Sequence, residues 1–237
     1  MPPNNSKIEF NPSAMVLYID NDLLIINKPS GLLSIQDGYD PNLPHLLTVL
    51  EPEFGKLWVI HRLDKETSGI VILGRNSETH RYFNRLFQTR DIIKIYKCLV
   101  IGSPSWNCFQ ANFPLFVNAD RLHRTLVNPQ KGKPALTSFS IIERFTELSL
   151  LECQLFTGYT HQIRAHLFHL GYPILGDTLY CLAKDRKIAA ENYGFNRIAL
   201  HASSVSFSHP KNKQELIIAA PYPPDLNLLI NQLRLKP

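Results

Sequence analysis

The sequence predicts an α+β fold in which a mixed, mostly antiparallel sheet is flanked by helices and loops. Three observations lead there. Apolar runs of strand length recur between turn-forming clusters. Only three longer segments space their apolar residues at helical intervals. No repeat or linker of convincing length divides the 237 residues, and 44% of them are hydrophobic, enough for a sizeable core.

Taken in order, residues 1–14 are polar and proline-containing and are expected to form a flexible arm, leaving 15–237 as one domain. Met15 to Ile19 and Leu23 to Ile26 flank Asp20-Asn21-Asp22 and read as a hairpin, broken at Lys28-Pro29-Ser30-Gly31. Leu57 to Ile60 is a short apolar stretch. It leads through the polar run 61–69, whose end is a turn closing at Gly69, into Ile70 to Leu73, a buried strand. Ser77 to Asp91 predicts a helix with Ser77 as N-cap and Tyr82, Phe83, Leu86 and Phe87 on one stripe. His80, Arg81, Arg85 and Arg90 lie opposite, on a face that is either simply solvated or able to touch phosphates.

Ile92 to Gly102 reads as a strand. Residues 103–140 hold Pro104, Pro114, Pro129 and Pro134 among short apolar runs and predict a hairpin-and-loop region exposing Arg121, His123, Arg124, Lys131 and Lys133. Such a basic excursion can clamp an RNA backbone or stand as an ordinary solvated loop. Leu148 to Phe156 is a further strand, followed by a helix from about His161 to Leu170 with Ile163, Leu167 and Leu170 facing inward and Gly171 and Pro173 stopping it. Ile198 to Phe207 and Glu215 to Ala220 complete the strands. Asp225 is the expected cap of a last helix that buries Leu226, Leu229, Ile230 and Leu233.

Bulk properties narrow the function. A formal charge of +5 permits an anionic partner without demonstrating one. The N-terminus lacks a signal-peptide core and no apolar run reaches membrane-spanning length, so a soluble, cytoplasmic protein with no membrane partner is expected. Cys98, Cys108, Cys153 and Cys181 form no C-x-x-C pair and read as reduced thiols. Motifs for acyl-transfer serines, phosphate loops, dinucleotide loops and H-E-x-x-H zinc sites are missing. Among His161, His166 and His169 only the last two share a helix face, with no acidic or thiolate ligand near, so no metal is expected.

What remains is a carboxylate-centred site. In the run His61-Arg62-Leu63-Asp64-Lys65-Glu66-Thr67-Ser68-Gly69, residues 62 and 64 share a face if the chain is extended. Asp64 could be an ordinary turn residue there. As a nucleophile it must stay ionised, which burial opposes and a neighbouring arginine such as Arg164 favours. An acid/base pair of Asp64 with Glu66 in a hydrolase is a second possibility.

Three ordered blocks, the 61–69 run, Lys94-Ile95-Tyr96-Lys97 and Leu155-Phe156-Thr157-Gly158-Tyr159-Thr160-His161-Gln162-Ile163-Arg164-Ala165-His166, resemble the motifs of RluA-type pseudouridine synthases. Asp22 to Leu32, Gly171 to Asp177 and Leu200-His201-Ala202 extend the resemblance over about residues 16–223. It implies the pseudouridine synthase catalytic fold and isomerisation of specific uridines in structured ribosomal or transfer RNA, after base flipping and without a cofactor. It also implies that Asp64 is the nucleophile, attacking C1′ of the ribose or C6 of the base. Arg164 pairs with Asp64, Tyr96 stacks on the flipped base, Leu200 packs against it, and Arg62 enters the RNA. Tyr159 stands where the family usually has arginine. No S4-like domain is expected ahead of residue 16, so the catalytic domain itself, expected to act as a monomer, would select an RNA stem-loop.

Overall fold

The computed structural model describes residues 10–183, 185 and 192–235. The first nine residues of the expected arm lie outside the described residues. The fold begins earlier than Met15: Phe10 packs on the core, and Pro12–Met15 forms a short helix (α1) capped by the Asn11 side chain. Ser13 hydrogen-bonds Glu53, tying α1 to a helix over Leu46–Phe54 (α2).

The sheet has ten strands among the described residues. In chain order they are Val16–Ile19 (β1), Leu23–Lys28 (β2), Trp58–Val59 (β3), Ser68–Gly74 (β4), Ile93–Ile101 (β5), Cys108–Ala111 (β6), and, past a small separate hairpin of Leu115–Phe116 (β7) and Leu126–Val127 (β8), Thr137–Arg144 (β9), Leu148–Leu155 (β10), Leu200–Ser208 (β11) and Glu215–Ala219 (β12). Their spatial order is β1-β2-β4-β11-β5-β10-β9-β6, with β3 on β4 and β12 on β11. β4 and β11 pair in parallel, through Ser68 with His201 and Gly69 with Ala202; the other named pairs are antiparallel. The expected mixed, mostly antiparallel sheet is what forms.

Strand periodicity sorts the core. Leu24, Ile26, Val71 and Leu73 face one side, where α2 and the helices Gln162–His169 (α4) and Pro224–Leu235 (α5) pack. Leu23, Ile25, Ile70 and Ile72 face the other, against Phe83 and Leu86 of the helix Ser77–Thr89 (α3). β4 is covered on both faces, which is why its sequence is continuously apolar.

Four expectations need correction. The N-cap of α3 is Asn76, whose side chain accepts from the Thr79 amide, and Ser77 is the first helical residue. Both types cap well, so sequence alone does not separate neighbours. Asp225 lies inside the first turn of α5 rather than capping it, and its carboxylate grips Arg197 at 2.6 and 2.8 Å. Gly69 does not close a turn but lies within β4. Finally, Thr137–Arg144 extends the supposed loop region into a full strand hairpinned with β10. α2 had no counterpart in the expectations; it carries Pro52 and buries only Leu46 and Leu50.

Candidate active site

The loop from β3 to β4 carries the 61–69 run and is pinned at almost every residue. His61 Nε2 accepts the Ile72 amide, and Ser34 Oγ bridges the amide and carbonyl of Leu63. The Thr67 amide donates to the Asp64 carbonyl, closing a turn directly after Asp64. Lys28, fully buried at the end of β2, donates to the carbonyls of Pro29, Leu32 and Lys65 at 2.8–3.0 Å. Its three protons meet three acceptors, joining the 28–32 bend to the loop. Burial pulls Lys28 down to about 7, with the charges of Glu66 and Asp64 opposing that fall.

α4 supplies the other wall. Gln162 staples its start: its oxygen accepts from Thr157 and the Tyr159 amide, and its nitrogen donates to the Leu136 carbonyl and Thr137. Arg164 then projects toward the loop. Its Nη1 donates to Asp64 Oδ2 at 3.0 Å, while Nε and Nη2 form a bidentate pair with Asp177 at 2.7 and 2.9 Å. Asp177 is completely buried and also accepts from the Leu179 and Tyr180 amides. Burial opposes the charge on Arg164, but Asp177 and then Asp64 more than offset it and raise its pKa above the usual guanidinium value. The guanidinium also lies 5.0 Å from the Tyr180 ring centroid.

These walls enclose a cleft of about 710 Å³. Asp64, Arg62, Tyr96, Arg164 and Leu200 all line it, so the five residues singled out in the sequence converge on one space. Tyr96 on β5 and Leu200 on β11 come from adjacent strands and form its apolar base, with Tyr96 8% exposed and Leu200 4%. Burial, then the Asp64 charge, raises the Tyr96 pKa, so it is a neutral phenol at physiological pH. Arg62 sits exposed at the mouth, its Nη2 3.4 Å from Thr160 Oγ1. Glu66 turns away: Ser30 Oγ donates to its carbonyl, and it lines a separate groove with Pro29 and Arg197, so it does not join Asp64 as a second carboxylate.

A carboxylate paired with an arginine and an aromatic ring at the bottom of a cleft with a cationic rim suit attack on a flat, anion-tethered substrate. The RNA pseudouridylate synthase family profile matches residues 22–169, well over half of the chain. The chain belongs to that family. It is an enzyme that isomerises uridine in RNA to pseudouridine. The synthase is 36% identical over 227 residues to ribosomal large subunit pseudouridine synthase C of Buchnera aphidicola, covering 92% of this chain and 72% of that one. It is 32% identical over 223 residues to the Escherichia coli synthase C (93% and 70%) and 35% identical over 231 residues to the Xanthomonas campestris synthase D (92% and 69%). Its fold matches that of human RNA pseudouridylate synthase domain containing 4, with a TM-score of 0.75 at 24% identity over 94% of both chains.

Within the synthase, Tyr159 packs against the cluster of Leu115, Ala135 and Tyr180 beside the β7–β8 hairpin. It is an apolar anchor for the basic excursion. Arg124 of that excursion is half-buried and paired with Asp120 at 2.7 Å, while Arg121, His123, Lys131 and Lys133 stay exposed. Arg81 and Arg85 on α3 are exposed, as is Arg90 just past its end, which lines the cleft. His166 is buried between Thr137 and the Phe113 carbonyl, with both ring nitrogens engaged. Sequence reasoning missed Asp177, His161, Tyr180 and Lys28. All but Tyr180 stand inside the quoted blocks, which was the available signal. No helix of the described residues is long and apolar enough to cross a membrane.

Proposed function

We propose that this synthase modifies uridines of large-subunit ribosomal RNA, with Asp64 as its nucleophile. The observation that carries the reading is the Asp64–Arg164 pair at 3.0 Å at the base of a cleft that Tyr96, Leu200 and Arg62 also line. Arg164 cannot give up its proton, so a positive partner stays beside the carboxylate when a base displaces water from the cleft. Asp64 bonds to C1′ or C6 of the uridine; the N1–C1′ bond breaks, the base rotates, a C5–C1′ bond forms, and the bond to Asp64 breaks to restore the carboxylate. The C5 proton is lost and N1 gains one, so no cofactor is consumed. Tyr96 stacks on the extruded base, worth about 1–3 kcal/mol, and, being a neutral phenol, contributes a hydrogen bond rather than a phenolate base. Leu200 packs against the same base, while Arg62 occupies the space it leaves in the RNA stem-loop.

Ribosomal RNA is favoured over transfer RNA because the relatives just described carry that substrate in their names. We place the synthase in the cytoplasm beside its RNA, acting as a monomer. Deleting the gene and mapping pseudouridine in total RNA tests this. We expect sites in large-subunit ribosomal RNA to vanish and to return with the wild-type gene but not with Asp64→Asn. Loss confined to transfer RNA would move the substrate; no loss at all would overturn the reading.

A further inference from the structure

Asp64 Oδ2 has a second neighbour that the ion pair with Arg164 does not explain. His161 Nε2 lies 3.6 Å away, and the other ring nitrogen, Nδ1, is 3.1 Å from the Tyr180 hydroxyl. The ring is held there by its backbone: His161 is the N-cap of α4 in the left-handed region, φ 57° and ψ 20°, and its side chain caps nothing. The tyrosine in turn has a fixed donor. The Thr125 amide donates to the Tyr180 oxygen at 2.6 Å, and an amide can only donate.

Tyr180 is fully buried and keeps its proton, its pKa pushed up to about 12 by burial first. That proton needs an acceptor, and His161 Nδ1 is in reach. A nitrogen that accepts carries no hydrogen. With His161 Nδ1 as that acceptor rather than the neighbouring Thr125 hydroxyl, the neutral ring bears its proton on Nε2, the atom that faces Asp64.

We infer that His161 is a positioning residue for the nucleophile, its Nε2–H and Arg164 Nη1 both directed at Asp64 Oδ2 so that Oδ1 is the oxygen presented to the uridine. This rests on the reading of Asp64 as nucleophile. At 3.6 Å the contact is longer than a hydrogen bond in the free enzyme, and on this inference it closes when substrate fills the site. The charged groups around the ring are Asp64, Arg164, Asp177 and Arg62; burial, Arg164 and Arg62 keep it neutral, against the pull of Asp64 and Asp177. The chain of contacts starts in the basic excursion, because Thr125 Oγ1 also donates to the Thr160 carbonyl at 2.7 Å. Gripping RNA there would steady the ring that steadies the carboxylate.

Two measurements test the assignment. In ¹⁵N-histidine spectra at pH 7, the signal that disappears in His161→Asn should show the neutral Nε2–H tautomer, and Tyr180→Phe should remove that preference. In single turnover at saturating RNA, His161→Asn, which tolerates the left-handed backbone but is too short to reach Asp64, should slow the reaction about 10- to 100-fold with RNA affinity unchanged. His161→Gln, whose amide N–H extends toward the Nε2 position, should recover most of that loss. An Nδ1–H tautomer or an imidazolium at pH 7, a wild-type rate for His161→Asn, or equal losses for Asn and Gln would each overturn the inference. Activity of Asp64→Asn would instead sink the nucleophile reading and leave the tautomer result standing.

Discussion

Arg164 holds two carboxylates, and they differ in what they need from it. Asp177 is wholly buried and bound through two nitrogens, whereas Asp64 is 28% exposed and bound through one. Arg164→Met therefore strips a buried charge of its partner, which typically costs about 3–5 kcal/mol. We expect its melting temperature to fall by about 10 °C in calorimetry while Asp64→Asn melts close to wild type. Arg62 is exposed at the cleft mouth with one weak contact, so Arg62→Met should leave melting unchanged. In filter binding across a salt series it should weaken RNA affinity and reduce the salt slope by about one. The Arg164–Asp64 partnership was legible in the sequence through the resemblance of the blocks. The Arg164–Asp177 partnership was not, because a helix and a turn separate them and no local periodicity links a guanidinium to a carboxylate across such a bend.

At the scale of elements, the junction between β4 and β11 is a point of very close backbone approach. Gly69 has φ 114°, and a Cβ there would stand 2.3 Å from the Ala202 carbonyl oxygen. Both the backbone angle and the strand approach exclude a side chain. Gly69→Ala should cost more than about 3 kcal/mol in urea unfolding, and because Asp64 and Leu200 flank the junction, the cleft should open with it. A stable, active Gly69→Ala would refute this account of the junction. Strands with long apolar runs and the α3 and α4 stripes were readable because burial repeats at 2 or 3.6 residues. α2 was not, since Pro52 interrupts it and its start is held by the Thr48 hydroxyl, which accepts the His45 amide, a signal that composition does not advertise. β9 was hidden for a related reason: the prolines of 103–134 suggested loop, while Thr137, Phe139 and Ile141 become a strand face only once β10 lies alongside.

For the whole molecule, two neutral histidines make stability depend on acid. Burial pulls His201 down to about 4 and His61 to about 3. His201 bridges the Ser68 hydroxyl and the Ala220 carbonyl across the sheet, and His61 accepts the Ile72 amide. An unfolded histidine titrates near 6.5, so between about 4 and 6.5 the unfolded chain binds more protons than the folded one. Stability from these groups is full above about pH 6.5 and declines as pH falls toward 4, by up to about 3 kcal/mol for His201. Chemical unfolding at pH 7 and pH 4.5 should show that loss, and His201→Gln should flatten it; a wild-type protein equally stable at both would contradict the assignment. The α+β class and the convergence of Asp64, Tyr96, Arg164 and Leu200 were legible at this scale because distant blocks resembled one family in the same order. The relays through Lys28, Tyr180 and Asp177 that hold them are properties of the folded chain.

On the proposed reading the Asp64 carboxylate performs the isomerisation. RNA labelled with tritium at C5 of uridine reports it directly, since joining the base through C5 expels that hydrogen into water. Wild-type synthase should release tritium from large-subunit ribosomal RNA, and Asp64→Asn, folded and binding the same RNA, should release none above background. Release by Asp64→Asn at a rate comparable to wild type would contradict the claim.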